Sequence, residues 1–96
     1  MTIDTLVIGA GLAGSSAARV LAENGKKVLI VEQHKHIAGH CSDYKNEYGI
    51  TVHKYGPHIF HTNNKKVWNF VNRFTEFNYY QHRVLSYVEG NFIPFP

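Results

Sequence analysis

Three glycines and one acid carry the clearest chemistry in this sequence of 96 residues. Gly9-Ala10-Gly11-Leu12-Ala13-Gly14 has the order G-x-G-x-x-G. The first glycine of such a run permits a sharp turn out of a strand. The second lets the backbone approach a pyrophosphate with no Cβ in the way, and the third lets the following helix pack close to the strand. The anion then rests on free N–H groups at the positive end of the helix dipole. Glu32 stands eighteen residues beyond Gly14. A carboxylate there accepts hydrogen bonds from both hydroxyls of an adenosine ribose and repels a 2′-phosphate. The ligand class is an adenine dinucleotide, with NAD and FAD both open and NADP disfavoured.

The second group of candidates is a set of histidines at 34, 36, 40, 53, 58 and 61, spread among glycines and polar residues. His36 and His40, the adjacent Cys41, and His58 with His61 have spacings a metal could use, but nothing pairs them into a four-ligand set, so no metal is expected. A histidine in such a setting is ordinarily a loop residue bonded to backbone.

These residues need elements to position them. Thr5 to Ile8 and Val28 to Val31 are short apolar, β-branched runs of the kind that forms buried parallel strands. Between them, Leu12 to Asn24 has helical spacing and ends before Gly25, a natural left-handed cap. Strand, turn, helix and strand within about thirty residues give a right-handed crossover and a parallel pair. Beyond Glu32 the composition predicts long loops with little regular structure. Asn64 to Phe74 reads as an amphipathic helix capped by Thr62 or Asn63. Phe77 to Val88 and Asn91 to Ile93 read as two strands joined by a turn at Glu89-Gly90. The fold class is therefore α/β: a Rossmann-like βαβ start followed by a helix and a β-hairpin.

The composition, 44% hydrophobic and 18% charged, is that of a globular chain. The longest apolar runs fall far short of the roughly twenty residues that span a bilayer, and the start lacks the basic region of a signal peptide. With one cysteine, Cys41, the expected setting is the reducing cytoplasm. The net charge of +3 is spread over scattered Lys and Arg, so no nucleic-acid partner is expected.

One stretch is more specific than the fingerprint. Tyr55-Gly56-Pro57-His58-Ile59-Phe60-His61-Thr62 resembles the UDP-galactopyranose mutase family, whose amino-terminal region has a glycine fingerprint, an acid followed by a His-Ile-Gly-Gly-like turn, and a His-Lys-Tyr-Gly-x-His-x-Phe-His-Thr stretch. The corresponding pieces here are Gly9 to Gly14, Glu32 leading to His36-Ile37-Ala38-Gly39, and His53 through Thr62, followed by the Trp68 helix and the Asn91-to-Pro96 segment, so the resemblance covers the whole chain. There are departures. Where the family usually has Arg, a Gly-Gly pair and Asn, this chain has His34, Ala38-Gly39 and His40.

The resemblance implies FAD as cofactor, active in its reduced form as the nucleophile toward the anomeric carbon of UDP-galactopyranose, which recloses as UDP-galactofuranose after UDP leaves and returns. It implies cofactor contacts from Gly9, Gly11, Leu12, Ala13, Gly14, Glu32, Gln33, Gly39, His40, His58 and Ile59. His82 or Arg83, on the following strand, falls near a family position that contacts substrate. None of these residues is expected to act as a catalytic acid or base, because the cofactor carries the hard step. The chain corresponds to a partial FAD-binding domain over 1–96, with the family's helical substrate domain absent, and is expected to be catalytically silent by itself. Apolar surface at Trp68, Phe70 and Phe92 to Pro96 points to self-association. Two alternatives stay open: a segment of another FAD- or NAD-dependent oxidoreductase, and a non-catalytic nucleotide-binding fragment.

Overall fold

A computed structural model describes residues 2–95. The fold divides into two units, Met1–His58 and Ile59–Pro96. In the first, β1 (Thr5–Ile8), α1 (Leu12–Glu23) and β2 (Val28–Val31) form the expected βαβ start. The strands pair in parallel, Thr5 opposite Val28 and Ile8 opposite Val31. Asp4 closes the near end of the pair: its carboxylate accepts the Lys27 N–H at 2.7 Å, while its own N–H donates to the Lys27 carbonyl at 2.9 Å. Helix α1 ends at Asn24, and Gly25 follows in the left-handed region at φ 77°.

Val7 faces α1, and the helix lies close because position 14 is glycine. A Cβ there would run into the carbonyl oxygen of Gly9 and press on the Val7 side chain. Side chains alternate along a strand, so Leu6, Ile8, Leu29 and Val31 share the opposite face. All four are exposed, Ile8 to 82%. Among the described residues only Ala10 and Ala18 are buried. The apolar character of β1 and β2 therefore exceeds what one helix covers, as in strands built for a sheet with layers on both faces.

The segment after Glu32, predicted as loops, holds more order than that. It contains a 3-10 turn at Gly39–Cys41 and an antiparallel hairpin of β3 (Asp43–Lys45) and β4 (Thr51–His53). The hairpin exists because one side chain organises its turn. Asn46 Oδ1 accepts the N–H groups of Tyr48 at 3.0 Å and Ile50 at 2.9 Å, the pattern by which asparagine nucleates turns.

The second unit has α2 (Lys65–Val71), shorter than the predicted helix, and a hairpin of β5 (Leu85–Val88) and β6 (Asn91–Pro94). The helix cap is Asn64 rather than Thr62 or Asn63. Its Oδ1 accepts from Lys66 and Val67, and Thr62 Oγ1 in turn accepts the Asn64 N–H. The hairpin turn is at Glu89-Gly90, both with positive φ, the geometry that suits the twist of paired strands. The longer strand read from Phe77 is not formed: residues 77–84 are irregular. Tyr79 has φ 56°, and Asn78 Oδ1 holds the Tyr80 N–H, which turns the chain where a strand would have to run straight. Phe60, Trp68 and Phe77 stack with centroids 4.9–6.4 Å apart. Trp68 and the described part of the tail are exposed as expected, Phe92 to 72%. Phe70 instead is half-buried against Phe74. Pro96 lies outside the described residues, as does Met1, part of the start read for a signal peptide. Among the described residues no helix is long and apolar enough to cross a membrane.

Gly14→Ala is expected to lower stability by about 1–2 kcal/mol. The backbone collision outweighs the roughly 1 kcal/mol by which alanine improves a helix interior. Thermal melts of the two proteins measure the difference.

Candidate functional site

The fingerprint turn leaves β1 at Gly9, whose φ of 99° belongs to the region that glycine enters without strain. The Gly9 N–H donates to the Val31 carbonyl at 2.7 Å, so the turn begins while still stitched to β2. Gly11 is the N-cap of α1. No side chain caps the helix and its first turn holds no acid, so the N–H groups there are offered outward. The space above the Gly11 Cα is open.

Ala10 is the most constrained residue of the turn. It is 7% exposed, and both of its backbone groups are engaged. Its N–H donates to Glu32 Oε2 at 2.7 Å. Its carbonyl accepts the Ala38 N–H at 2.8 Å. The other Glu32 oxygen accepts the His34 N–H at 2.9 Å. These two N–H groups, that of Ala10 foremost, hold the Glu32 carboxyl below the ordinary glutamate range. Each carboxylate oxygen retains a lone pair for a further donor.

Ala38 has a φ of 72°, in the left-handed region that glycine enters more readily. Such a conformation costs an L-residue of order 1–2 kcal/mol. The bond to Ala10 holds it there. Gly39 comes next, with φ 57°, close enough to the fingerprint that a Cβ would touch the Gly11 Cα at 3.5 Å.

An open cleft of about 760 Å³ lies along this arrangement, lined by Gly9, Glu32, Gln33, His34, Gly39 and His40 together with Ile8, Val31, His36 and Tyr55. The volume falls within the range of small-molecule sites, roughly 300–1,000 Å³. The open approach at Gly11, the uncapped end of α1 and the Glu32 carboxylate suit a dinucleotide: anion on the helix end, ribose hydroxyls on the acid. Aromatic residues crowd one side. His40 packs on Tyr55 at 5.4 Å and approaches His58 at 6.2 Å between centroids. The His58 Nδ1 lies 2.9 Å from the Gly56 carbonyl; a carbonyl can only accept, so Nδ1 carries hydrogen and Nε2 remains available.

Of the residues predicted for cofactor contact, the structure brings together Gly9, Gly11, Glu32, Gln33, Gly39 and His40, with Leu12, Ala13 and Gly14 in the first turn of α1 and His58 beside His40. Ile59 opens the second unit. His82 and Arg83 also belong to that unit and lie in the irregular segment before β5, not on a strand as predicted. Tyr80 Oη is 3.2 Å from His82 Nδ1. Ala10, His36 and Tyr55 are not among the residues predicted for cofactor contact, yet Ala10 holds Glu32 and the other two line the cleft. The first is the unnamed x of the fingerprint, and nothing in spacing alone brings the other two together. Among the described residues no three His, Cys, Asp or Glu side chains gather as a metal site.

Residues 7–74 match the NAD(P)-binding Rossmann-like domain family. The chain belongs to that family. It is also 48% identical over 92 residues to the dTDP-fucopyranose mutase of Escherichia coli, covering 95% of this chain and 24% of that protein. It is 46% identical over 89 residues to the UDP-galactopyranose mutase of Mycoplasma pneumoniae, covering 92% of this chain and 22% of the relative. A probable UDP-galactopyranose mutase of Klebsiella pneumoniae is 42% identical over 92 residues, again 95% of this chain and 24% of the other. The resemblance to the mutases read from His53 to Thr62 thus holds along nearly the whole chain, which spans less than a quarter of the length of these relatives.

Two outcomes follow from the geometry. Gly11→Val places its side chain in open space, so stability should change by only about 1 kcal/mol, the scale of a helix-cap substitution. Dinucleotide affinity should fall more than about tenfold, a loss of at least roughly 1.4 kcal/mol, and calorimetry with FAD and ADP beside a thermal melt separates the two effects. For Glu32 the sign follows from its lowered pKa. A carboxyl that is more acidic folded than unfolded contributes its tether fully above the unfolded pKa and loses it as pH falls through the lower, folded one. An NMR titration should show the Ala10 and His34 amide shifts moving together at a midpoint below the ordinary glutamate range, and Glu32→Gln should abolish that transition.

Proposed function

We propose that this chain is the FAD-binding part of a sugar-nucleotide mutase that interconverts UDP-galactopyranose and UDP-galactofuranose. The observation that carries the reading is how far the mutase likeness extends. It spans up to 92 of the residues, so it takes in the Tyr55-to-Thr62 run as well as the fingerprint and reaches beyond the 7–74 stretch of the dinucleotide-binding domain.

In this reading the chain's residues bind and orient. The turn from Gly9 to Gly14 and the open N–H groups of Leu12 and Ala13 receive the pyrophosphate, and Gly39 lets a second backbone segment approach the same place. Glu32, with Gln33 beside it, accepts the ribose hydroxyls on its remaining lone pairs and turns away a 2′-phosphate. That preference supports FAD over NADP. His40 and His58 flank the cofactor, His58 with its free Nε2, and Ile59 follows it. His82 and Arg83 are the residues of this chain proposed to reach the sugar nucleotide. Held between the Gly9-to-Gly14 turn, Glu32, His40 and His58, reduced FAD would supply the nucleophilic chemistry toward the anomeric carbon. The protein's share is position, and positioning accounts for a large part of such catalysis. As a partial FAD-binding domain, the chain leaves most substrate contacts to the helical domain that the family resemblance implies.

The test uses the protein carrying these residues, purified and examined for a yellow chromophore. It is then assayed chromatographically with UDP-galactopyranose and dTDP-fucopyranose before and after dithionite reduction. Conversion of UDP-galactopyranose to its furanose form only after reduction is the expected result. A colourless protein that oxidises or reduces NAD(P) with a substrate would replace the mutase reading with an oxidoreductase, and a preference for dTDP-fucopyranose would reassign the sugar nucleotide.

A further inference from the structure

Tyr55 and His36 line the cleft but belong to neither the glycine fingerprint nor its acid. They lie 19 residues apart and meet in a side-chain hydrogen bond, Tyr55 Oη to His36 Nε2 at 2.7 Å. The other ring nitrogen of His36, Nδ1, is 3.0 Å from the Ile37 carbonyl. Because that carbonyl can only accept, Nδ1 carries the hydrogen, and Nε2 is the acceptor for the Tyr55 hydroxyl. The imidazole is thereby fixed at both ends. The N–H end of that same Ile37–Ala38 peptide donates to the Ala10 carbonyl, and the Ala10 N–H donates to Glu32. A continuous run of contacts joins Tyr55 through His36 and Ala38 to the fingerprint and the acid at the end of β2. The Tyr55 ring also packs against His40, which in turn approaches His58.

We infer that the Tyr55–His36 hydrogen bond is a positioning device for the dinucleotide site. It ties the 33–36 segment, whose Gln33, His34 and His36 line the cleft, to the turn after β4, which contributes Tyr55 to the lining. Ala38 is the reason the tie matters. A non-glycine residue with φ 72° relaxes toward right-handed backbone unless its neighbours hold it. Its restraints are the Ala10 bond, the Cys41 N–H on its own carbonyl at 3.1 Å and, through the adjoining peptide, the clamped His36. Without the Tyr55 hydroxyl the His36 ring is held at one end only, and this part of the cleft lining loosens. Tyr55 and His36 are positioning residues, not catalytic ones. The inference rests on the reading of this cleft as a dinucleotide site.

The experiment measures FAD and ADP affinity by titration, the visible absorption band of bound FAD, and the melting temperature. It compares the parent protein with Tyr55→Phe, His36→Leu, His36→Gln and the double variant Tyr55→Phe/His36→Leu. Loss of one hydrogen bond predicts a fall in FAD affinity of about fivefold for Tyr55→Phe. His36→Leu should match it, and the double variant should be no worse than either single, the signature of two residues acting through one contact. His36→Gln, whose side-chain oxygen can accept the tyrosine hydroxyl, should recover most of the affinity and the parent absorption band. Parent-like FAD affinity in Tyr55→Phe, losses that multiply in the double variant, or melting-temperature changes without any change in affinity or spectrum would each overturn the inference. A parent protein that binds neither FAD, NAD nor ADP would instead overturn the dinucleotide reading beneath it.

Discussion

The bond from the Ala10 N–H to the Glu32 carboxylate is the contact on which the rest of the first unit depends. It joins the turn after β1 to the end of β2, two places that the parallel pairing of the strands brings side by side. A charged acceptor makes such a bond stronger than one between neutral groups, and the depressed pKa of Glu32 is the same fact seen in its proton affinity. The acid therefore has a second role besides any contact with a ligand: it shapes the turn that a ligand would approach.

From that contact the site extends in two directions. Toward the helix, Gly9 and Gly14 permit the tight passage into α1, whose end is left without a cap. Toward the histidine-rich segment, the Ala10 carbonyl holds Ala38, and Ala38-Gly39 brings a second stretch of backbone against Gly11. Ala38 carries the backbone strain of a left-handed conformation, which neighbouring contacts must offset.

The exposed face of Leu6, Ile8, Leu29 and Val31 fits the same account. Apolar surface of this extent on a parallel pair calls for a second covering layer.

What the sequence determined by itself was local and periodic. The strand, turn, helix and strand of the βαβ start, the glycine fingerprint, the acid at 32 and the Glu89-Gly90 turn are each written in a few adjacent residues whose backbone preferences agree with one another. The resemblance to the mutases was legible for a similar reason, in one unbroken run from His53 to Thr62. Tertiary structure decided the rest. Whether residues 43–53 formed a loop or a hairpin turned on the Asn46 side chain capturing two N–H groups, and whether 77–84 continued as a strand turned on the bend at Asn78 to Tyr80. The meeting of Tyr55 with His36, and of Ala38 with Ala10, depends on how loops far apart in sequence close around the turn. Spacing cannot express such contacts, because each is fixed by the path of the intervening chain and not by the preference of either residue.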